Sequence, residues 1–225
     1  MTERLPCEVV SGSDRMACYH PRKAWRARVV NPSGRRAIVF NPQDGFPDME
    51  VQVPCGGCIG CRLEKCRQWA VRCHHEASMH DDNCFVTLTY DDEHLPCPPS
   101  VGVRPLQLFM KSLRKKYGSG IRFFACGEYG NAEGRREWNP HYHLILFNHD
   151  FEDKKFWKEN RRGEPLYTSP SLEALWPMGF SSIGAVTFQS AAYVSRYIMK
   201  KVTGEAAQTH YDWVHPATGE IFSLN

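Results

Sequence analysis

The stretch Asn139-Pro140-His141-Tyr142-His143-Leu144-Ile145-Leu146-Phe147 limits what this chain can fold into more than any other. Aromatic and aliphatic residues fill a short run behind a proline, which can start a strand but would break the ladder in its middle. A β-strand is therefore expected there. Successive strand side chains point to opposite faces, so His141 and His143 share one face and Tyr142 takes the other. Two imidazoles about 6.5 Å apart along a strand can close on one divalent cation. A solvated sheet edge would show the same alternation.

Just upstream, Ile121-Arg122-Phe123-Phe124-Ala125-Cys126-Gly127-Glu128-Tyr129-Gly130 reads as a second strand, followed by a turn-rich loop to Pro140. Two strands joined this way most simply form an antiparallel hairpin, which brings Glu128 to the start of the histidine strand. One carboxylate and two imidazoles leave coordination positions open, suit Mg²⁺ or Mn²⁺, and can polarise a phosphate. The plainer reading of Glu128 is a solvated hairpin residue. Later, residues 191–201 run without proline or glycine at helical apolar spacing. Tyr193 and Tyr197 stand four apart on one face of this helix, with Lys200 and Lys201 in the next turn. A phenol activated by a nearby cation could attack a phosphate and form an ester, whereas a packed aromatic stripe needs no chemistry at all.

The 225 residues suffice for one compact domain with an attached module. Hydrophobic residues make up 42%, which argues against wholesale disorder. The apolar runs are too short for a bilayer and the N-terminus has no signal-peptide pattern, so a soluble protein is expected. A net charge of +3 does not announce a nucleic-acid partner, but Arg22, Lys23, Arg26, Arg28, Arg35 and Arg36 cluster without an acidic residue around Trp25. DNA contact and a solvated arm both fit this run.

Ten cysteines without a secretory signal point to a reducing compartment. Cys55, Cys58 and Cys61 are spaced Cys-x-x-Cys-x-x-Cys with glycines between, as a structural zinc site requires, and need a fourth ligand. A redox pair would share the spacing but not the surrounding strand and helix order. The following helix, about 61–80, carries Leu63, Cys66, Ala70, Cys73 and Ala77 as its apolar stripe, which assigns Cys66 and Cys73 to the core.

From residue 84 the order is regular: a strand at 84–90, a helix at 104–117, the hairpin of 121–129 with 141–148, a polar helix at 151–160, a helical turn at 171–176 and a strand at 179–188. This predicts an α+β fold, a ferredoxin-like βαββαβ antiparallel sheet with helices on one side, followed by the tyrosine helix. The expected organisation is an N-terminal basic arm, Cys-rich zinc module and helix over 1–80, a core over 81–203 and a tail over 204–225. In 1–54 only residues 37–40 read as a strand, within an irregular arm.

Taken together, these stretches resemble the HUH endonucleases. His141-Tyr142-His143 has the His-hydrophobe-His form, Gly127-Glu128-Tyr129-Gly130 resembles the segment with their third metal ligand, and 193–201 resembles the two-tyrosine motif of rolling-circle initiators. Phe85-Val86-Thr87-Leu88-Thr89-Tyr90 resembles their first-motif strand. A closer resemblance, to replication initiation proteins of gokushovirus-like microviruses, is carried by Met16-Ala17-Cys18-Tyr19-His20-Pro21, by 55–62 and by Arg67-Gln68-Trp69-Ala70. It implies metal-dependent nicking and rejoining of single-stranded or melted phage origin DNA through a 5′-phosphotyrosine. Glu128, His141 and His143 would be the Mg²⁺ or Mn²⁺ ligands, and Tyr193, Tyr197, Lys200 and Lys201 the catalytic residues. It also implies Cys18 as the fourth zinc ligand, with Cys7 the runner-up. A host helicase and polymerase as partners, the bacterial cytoplasm as location, no membrane, and a continuation beyond residue 225 follow from the same resemblance. A non-enzymatic zinc protein that binds nucleic acid is the alternative.

Overall fold

The computed structural model describes residues 18–130, 139–200, 212–215 and 217–223, without the side chains of 198–200, 213 and 214. The chain divides into two compact units, Met1–Lys65 and Cys66–Asn225.

In the first unit, β1 (Arg22–Val30), β2 (Arg36–Val39) and β3 (Gly45–Val53) form an antiparallel sheet of order β2-β1-β3. This corrects the expectation of an irregular arm. The arginines of β1 hid the pattern, because only Ala24 and Ala27 of that strand are buried and the rest of the strand is largely exposed. Its turns are conventional: the Asn31 side chain accepts from Arg35 N, and Asn41 caps the short 3-10 turn Pro42–Asp44 by accepting from Gln43 N. Gly45 permits a close approach, since a Cβ there would lie 2.3 Å from Trp25 Cβ.

α1 (Ile59–Ala77) begins in this unit and continues into the second. The second unit contains β4 (Asn83–Thr89), α2 (Val103–Tyr117), β5 (Arg122–Tyr129), β6 (Pro140–Phe147), β7 (Lys155–Glu159), β8 (Pro165–Thr168), α3 (Pro170–Leu175), β9 (Ser181–Gly184) and α4 (Phe188–Lys200). A small hairpin, β10 (Asp212–Val214) and β11 (Ile221–Ser223), follows. The main sheet is antiparallel with order β5-β6-β4-β9-β8-β7.

β6 occupies an inner position because both its faces are apolar. Tyr142, Leu144 and Leu146 pack with Phe109, Met110 and Leu113 of α2, with Leu172 of α3 and with Trp176. Ile145 and Phe147, on the other face, pack with Ala70 and Cys73 of α1 and with Ala191 and Val194 of α4. Helices therefore cover both faces, not one as expected; a strand with two apolar faces must be covered twice. Truncating a side chain such as Leu144, fully buried here, typically costs about 2–5 kcal/mol.

The segment 151–160 is not a helix. β7 and β8 form a hairpin closed at Asn160, whose Oδ1 accepts from Arg162 N and Glu164 N while Gly163 takes φ +76°. The aromatics of Lys155-Phe156-Trp157-Lys158 favour a strand over a helix, and the turn chemistry sets the register. The final strand is also shorter than expected, since Phe188 opens α4 instead of ending β9.

Candidate metal and tyrosine site

Strand register assembles the site. Glu128 of β5 lies directly opposite His141 of β6, and Cys126 opposite His143. On the other side, Thr89 and Thr87 of β4 oppose His141 and His143. Residues opposite one another in adjacent strands share a face, so Glu128, both histidines and both threonines lie on the face covered by α1 and α4.

Glu128 Oε2 stands 3.3 Å from His141 Nε2 and 3.5 Å from His143 Nε2. The far ring nitrogens are held from behind: His141 Nδ1 is 2.9 Å from Asn139 O, and His143 Nδ1 is 3.1 Å from Thr87 Oγ1. Such second contacts turn both Nε2 atoms toward the carboxylate, and the Asn139 carbonyl, which can only accept, puts a proton on His141 Nδ1. One ligand atom from each of the three residues lies within 4.8 Å of the others, so the group could hold a metal ion. The donors are hard or borderline and belong to only three residues, which leaves coordination positions for a substrate oxygen.

α4 brings its tyrosines onto this group. The Tyr193 ring meets His143 edge-on at 5.2 Å and the Tyr197 ring stacks on it at 5.7 Å, with the two tyrosine rings 5.1 Å apart. Phe85 stacks on His143 at 5.7 Å. The helix is anchored beneath them: Ser195 Oγ donates to Ala191 O, and the Cys66 thiol of α1 donates to Ser195 O at 2.9 Å. Burial pushes the Tyr197 phenol well above the ordinary tyrosine range, and hydrogen bonds with Glu128 and Tyr193 push the same way. It is a neutral donor to the carboxylate in this arrangement. Tyr193 is 38% exposed, which leaves it open to a ligand entering from solvent. Lys200 ends α4, with its side chain outside the description, and Lys201 lies outside the described residues.

A second group, Cys18, Cys55, Cys58 and Cys61, brings its four sulfurs within 4.8 Å of one another. The Cys55–Cys61 and Cys18–Cys58 sulfur distances, 4.0 and 3.9 Å, are near the edge of a tetrahedron around a zinc ion with bonds of about 2.3 Å, roughly 3.8 Å. Backbone amides point inward as well: Cys55 N donates to Cys18 Sγ, Cys58 N to Cys55 Sγ, and Tyr19 N and Cys61 N to Cys58 Sγ. These donors stabilise thiolate charge, and those from Cys61 and Tyr19 bring the Cys58 thiol down to about 6. Cys55 is lowered for the same reason, while desolvation and the neighbouring sulfurs push Cys61 up to about 12. The alternative ligand Cys7 lies outside the described residues.

Arg22, Lys23 and Arg28 of β1 have partners within their own unit. The Arg22 guanidinium lies 4.4 Å over the Phe40 ring, Lys23 pairs with Glu50 at 3.0 Å, and Arg28 Nε donates to Gly45 O. The Lys23 pair is exposed and contributes little to stability. Arg26 is exposed on the same strand. Thr87 and Phe85 are not marked as site residues by the sequence, although β4's alternation places both on the histidine face once the register is known.

A family model described as replication-associated protein ORF2 matches residues 83–202. The chain is 39% identical over 210 residues to replication-associated protein VP4 of Bdellovibrio phage phiMH2K, covering 89% of this chain and 63% of that protein. It is 38% identical over 159 residues to replication-associated protein ORF2 of Spiroplasma virus 4, covering 67% and 48%, and 31% identical over 157 residues to replication-associated protein ORF4 of Chlamydia phage 1, covering 66% and 38%. The chain thus spans between 38% and 63% of the length of these relatives. No solved structure matches it.

Proposed function

The chain belongs to the ORF2 family of replication-associated proteins, and from that premise we propose that it initiates rolling-circle replication by nicking and rejoining single-stranded or melted phage origin DNA. The observation that carries this reading is the contact of two α4 phenol rings with His143, Tyr197 stacked and Tyr193 edge-on, where His143 Nε2 faces Glu128 beside His141. The order β5-β6-β4-β9, with α2 and α3 in the crossovers, is that of a ferredoxin-like sheet; β7 and β8 extend it at one edge. It supports an HUH endonuclease fold.

Glu128, His141 and His143 would hold Mg²⁺ or Mn²⁺, which when bound draws charge from the nonbridging oxygens of the scissile phosphate. The rest falls to the chain. Glu128 holds the Tyr197 phenol by a hydrogen bond, and a cation on the carboxylate would loosen that hold. The phenol loses its proton to water and its oxygen attacks phosphorus in line. The bond from phosphorus to O3′ breaks, and O3′ takes up a proton. A 5′-phosphotyrosine and a free 3′-OH result, and the reverse attack by a 3′-OH rejoins the strand without ATP. Tyr197 is the first nucleophile in this reading. Tyr193, on the same helical face, serves the second cut while the first holds its DNA end. Lys200 and Lys201, next in the sequence, would serve as phosphate contacts.

The cysteine group would hold zinc as a structural ion, and Arg22, Lys23, Arg26 and Arg28 would meet the DNA backbone. Replication in a bacterial cytoplasm would draw on a host helicase and polymerase, with the 3′-OH as primer. Among the described residues no helix is long and apolar enough to cross a membrane.

The test is incubation of the full chain with labelled single-stranded origin oligonucleotide and Mn²⁺, followed by denaturing electrophoresis. A covalent adduct is expected. Tyr193→Phe with Tyr197→Phe should reduce it about a thousandfold or more while leaving DNA affinity within about twofold. Cleavage without adduct would mean attack by water, and neither product would leave the alternative of a zinc-containing nucleic-acid-binding protein. That alternative gives no role to the co-facial Glu128, His141 and His143.

A further inference from the structure

The face that carries Glu128, His141 and His143 continues across the sheet to a second aromatic feature. Thr89 opposes His141 on one side, and on its other side Leu88 pairs with Ser181, which places Phe180 beside Thr89. Thr89 N and Oγ1 both donate to Phe180 O, at 2.9 and 2.8 Å. Adjacent strands are about 4.8 Å apart, so Phe180 lies roughly 10 Å from His141 across the strands. Alternation along β9 puts its side chain on the histidine face, since Ile183 points into the opposite core.

Phe180 does not stand there by itself. The Trp157 ring packs on it at 4.6 Å, and Lys158 Nζ lies 3.9 Å over the far part of this pair, on the Trp157 ring. Trp157 comes from the place where the β7–β8 register shifts, between Phe156 and Lys158. Such bulges re-aim one side chain, and here the neighbouring Phe156 goes instead to Tyr167. Phe180 is positioned by Gly179, at φ +151°, where a Cβ would lie 2.4 Å from Thr89 O and 2.5 Å from Asp91 N. Trp176 Nε1 donates to Thr89 O from below. The platform is therefore rigidly placed, yet Trp157 and Phe180 remain 42% and 44% exposed.

We infer that Trp157 and Phe180 form a base-stacking platform for the single strand that runs from the scissile phosphate across the histidine face, with Lys158 on its phosphates. Two aromatics with a stacked cation suit a base and its phosphate, and every base offers a π-face, so sequence-tolerant single-strand binding follows. Lys155, Lys158, Arg161 and Arg162 outnumber Glu159 and Glu164 in this hairpin, and the Glu164 carboxylate is already engaged by Asn160 Nδ2 at 2.7 Å. That balance favours a polyanion. The inference rests on the proposed DNA-nicking role for its meaning, but its test does not require cutting.

The full chain is titrated, in chelator, into a labelled mixed-sequence single-stranded oligonucleotide and into the same sequence as duplex, with anisotropy as readout. Trp157→Ala with Phe180→Ala should weaken single-strand binding about tenfold or more, within the range expected for lost stacking, and change duplex binding less than twofold. Tryptophan fluorescence adds a second measure: single-strand binding should quench it in the native chain, and Trp157→Phe should remove much of that quenching while keeping most of the affinity. Unchanged single-strand affinity, as for a patch that docks a protein, overturns the inference, as does an equal loss for both DNA forms. Should the double variant fail to melt cooperatively, the quenching difference of Trp157→Phe decides. Absence of adduct with native protein would sink the nicking role and leave this result standing.

Discussion

The two candidate metal groups are built in opposite ways. The cysteine group takes three of its four ligands from seven consecutive positions, on a glycine-rich turn that leads into a helix, and its sulfurs are surrounded by amide donors. Its four sulfurs match the number that a closed tetrahedral metal site needs, which suits such a group to holding a chain together. The Glu128, His141 and His143 group comes from two strands of a sheet that packs an apolar cluster on each face. Its ligands are incomplete and its open side is lined by Tyr193 and Tyr197. A closed ligand set supplies folding energy, and an open one supplies chemistry.

The sharpest way to break this comparison is to remove each ion's ligands and measure folding. Cys58→Ser, or a strong chelator, should unfold the first unit's sheet, since structural zinc sites supply on the order of 10 kcal/mol. Limited proteolysis within residues 22–53 reads this out, and resistance equal to that of the native chain would remove the structural role. His141→Ala with His143→Ala should do the reverse: metal-dependent cleavage falls about a thousandfold, while the thermal midpoint of the second unit moves by only a few degrees. A collapse of that midpoint would mean that the histidines are structural.

A smaller effect separates orientation from ligation. Thr87→Val removes the partner of His143 Nδ1 without removing a ligand, and should weaken Mn²⁺ binding about tenfold. Calorimetry checks this; unchanged affinity would mean that packing against Phe85 alone orients the ring. The subtlest test is acid–base. The Cys58 thiol is held at about 6 in the folded chain, below its usual value near 9. Its ionised form therefore favours the folded state most above pH 9, and this contribution is lost as pH falls through 6. Zinc affinity should fall over the same window as protons compete for the sulfur. Competition with a chromophoric chelator, run on the zinc-loaded chain at stepped pH, reads this out.

The elements that could be read ahead of the structure are those whose signal is local. A proline before an alternating apolar run marks β6, three cysteines at equal spacing mark a sulfur group, and an uninterrupted run with two tyrosines four apart marks α4. The β5–β6 hairpin also follows, since a short connection leaves antiparallel pairing as the simplest arrangement. The two-faced burial of β6 was equally visible in its unbroken apolar run, although one covered face was expected. In the first unit only β2 was expected, near residues 37–40; β1 and β3 were missed because they carry too few apolar residues to show a period, and so was the β7–β8 hairpin, whose charges resemble a polar helix.

What the amino-acid order determined on its own is the chemistry available and which side chains share a strand or helix face, because backbone periodicity dictates both. Only the tertiary structure decided that Glu128 falls opposite His141 and not one residue along. It alone also brought Cys18 to a sulfur group 37 residues away, laid α4 on the histidine face and placed Trp157 on Phe180. Each of these depends on strand register or on packing between segments distant in the chain, and such pairings are chosen by the whole core's fit and not by any local preference.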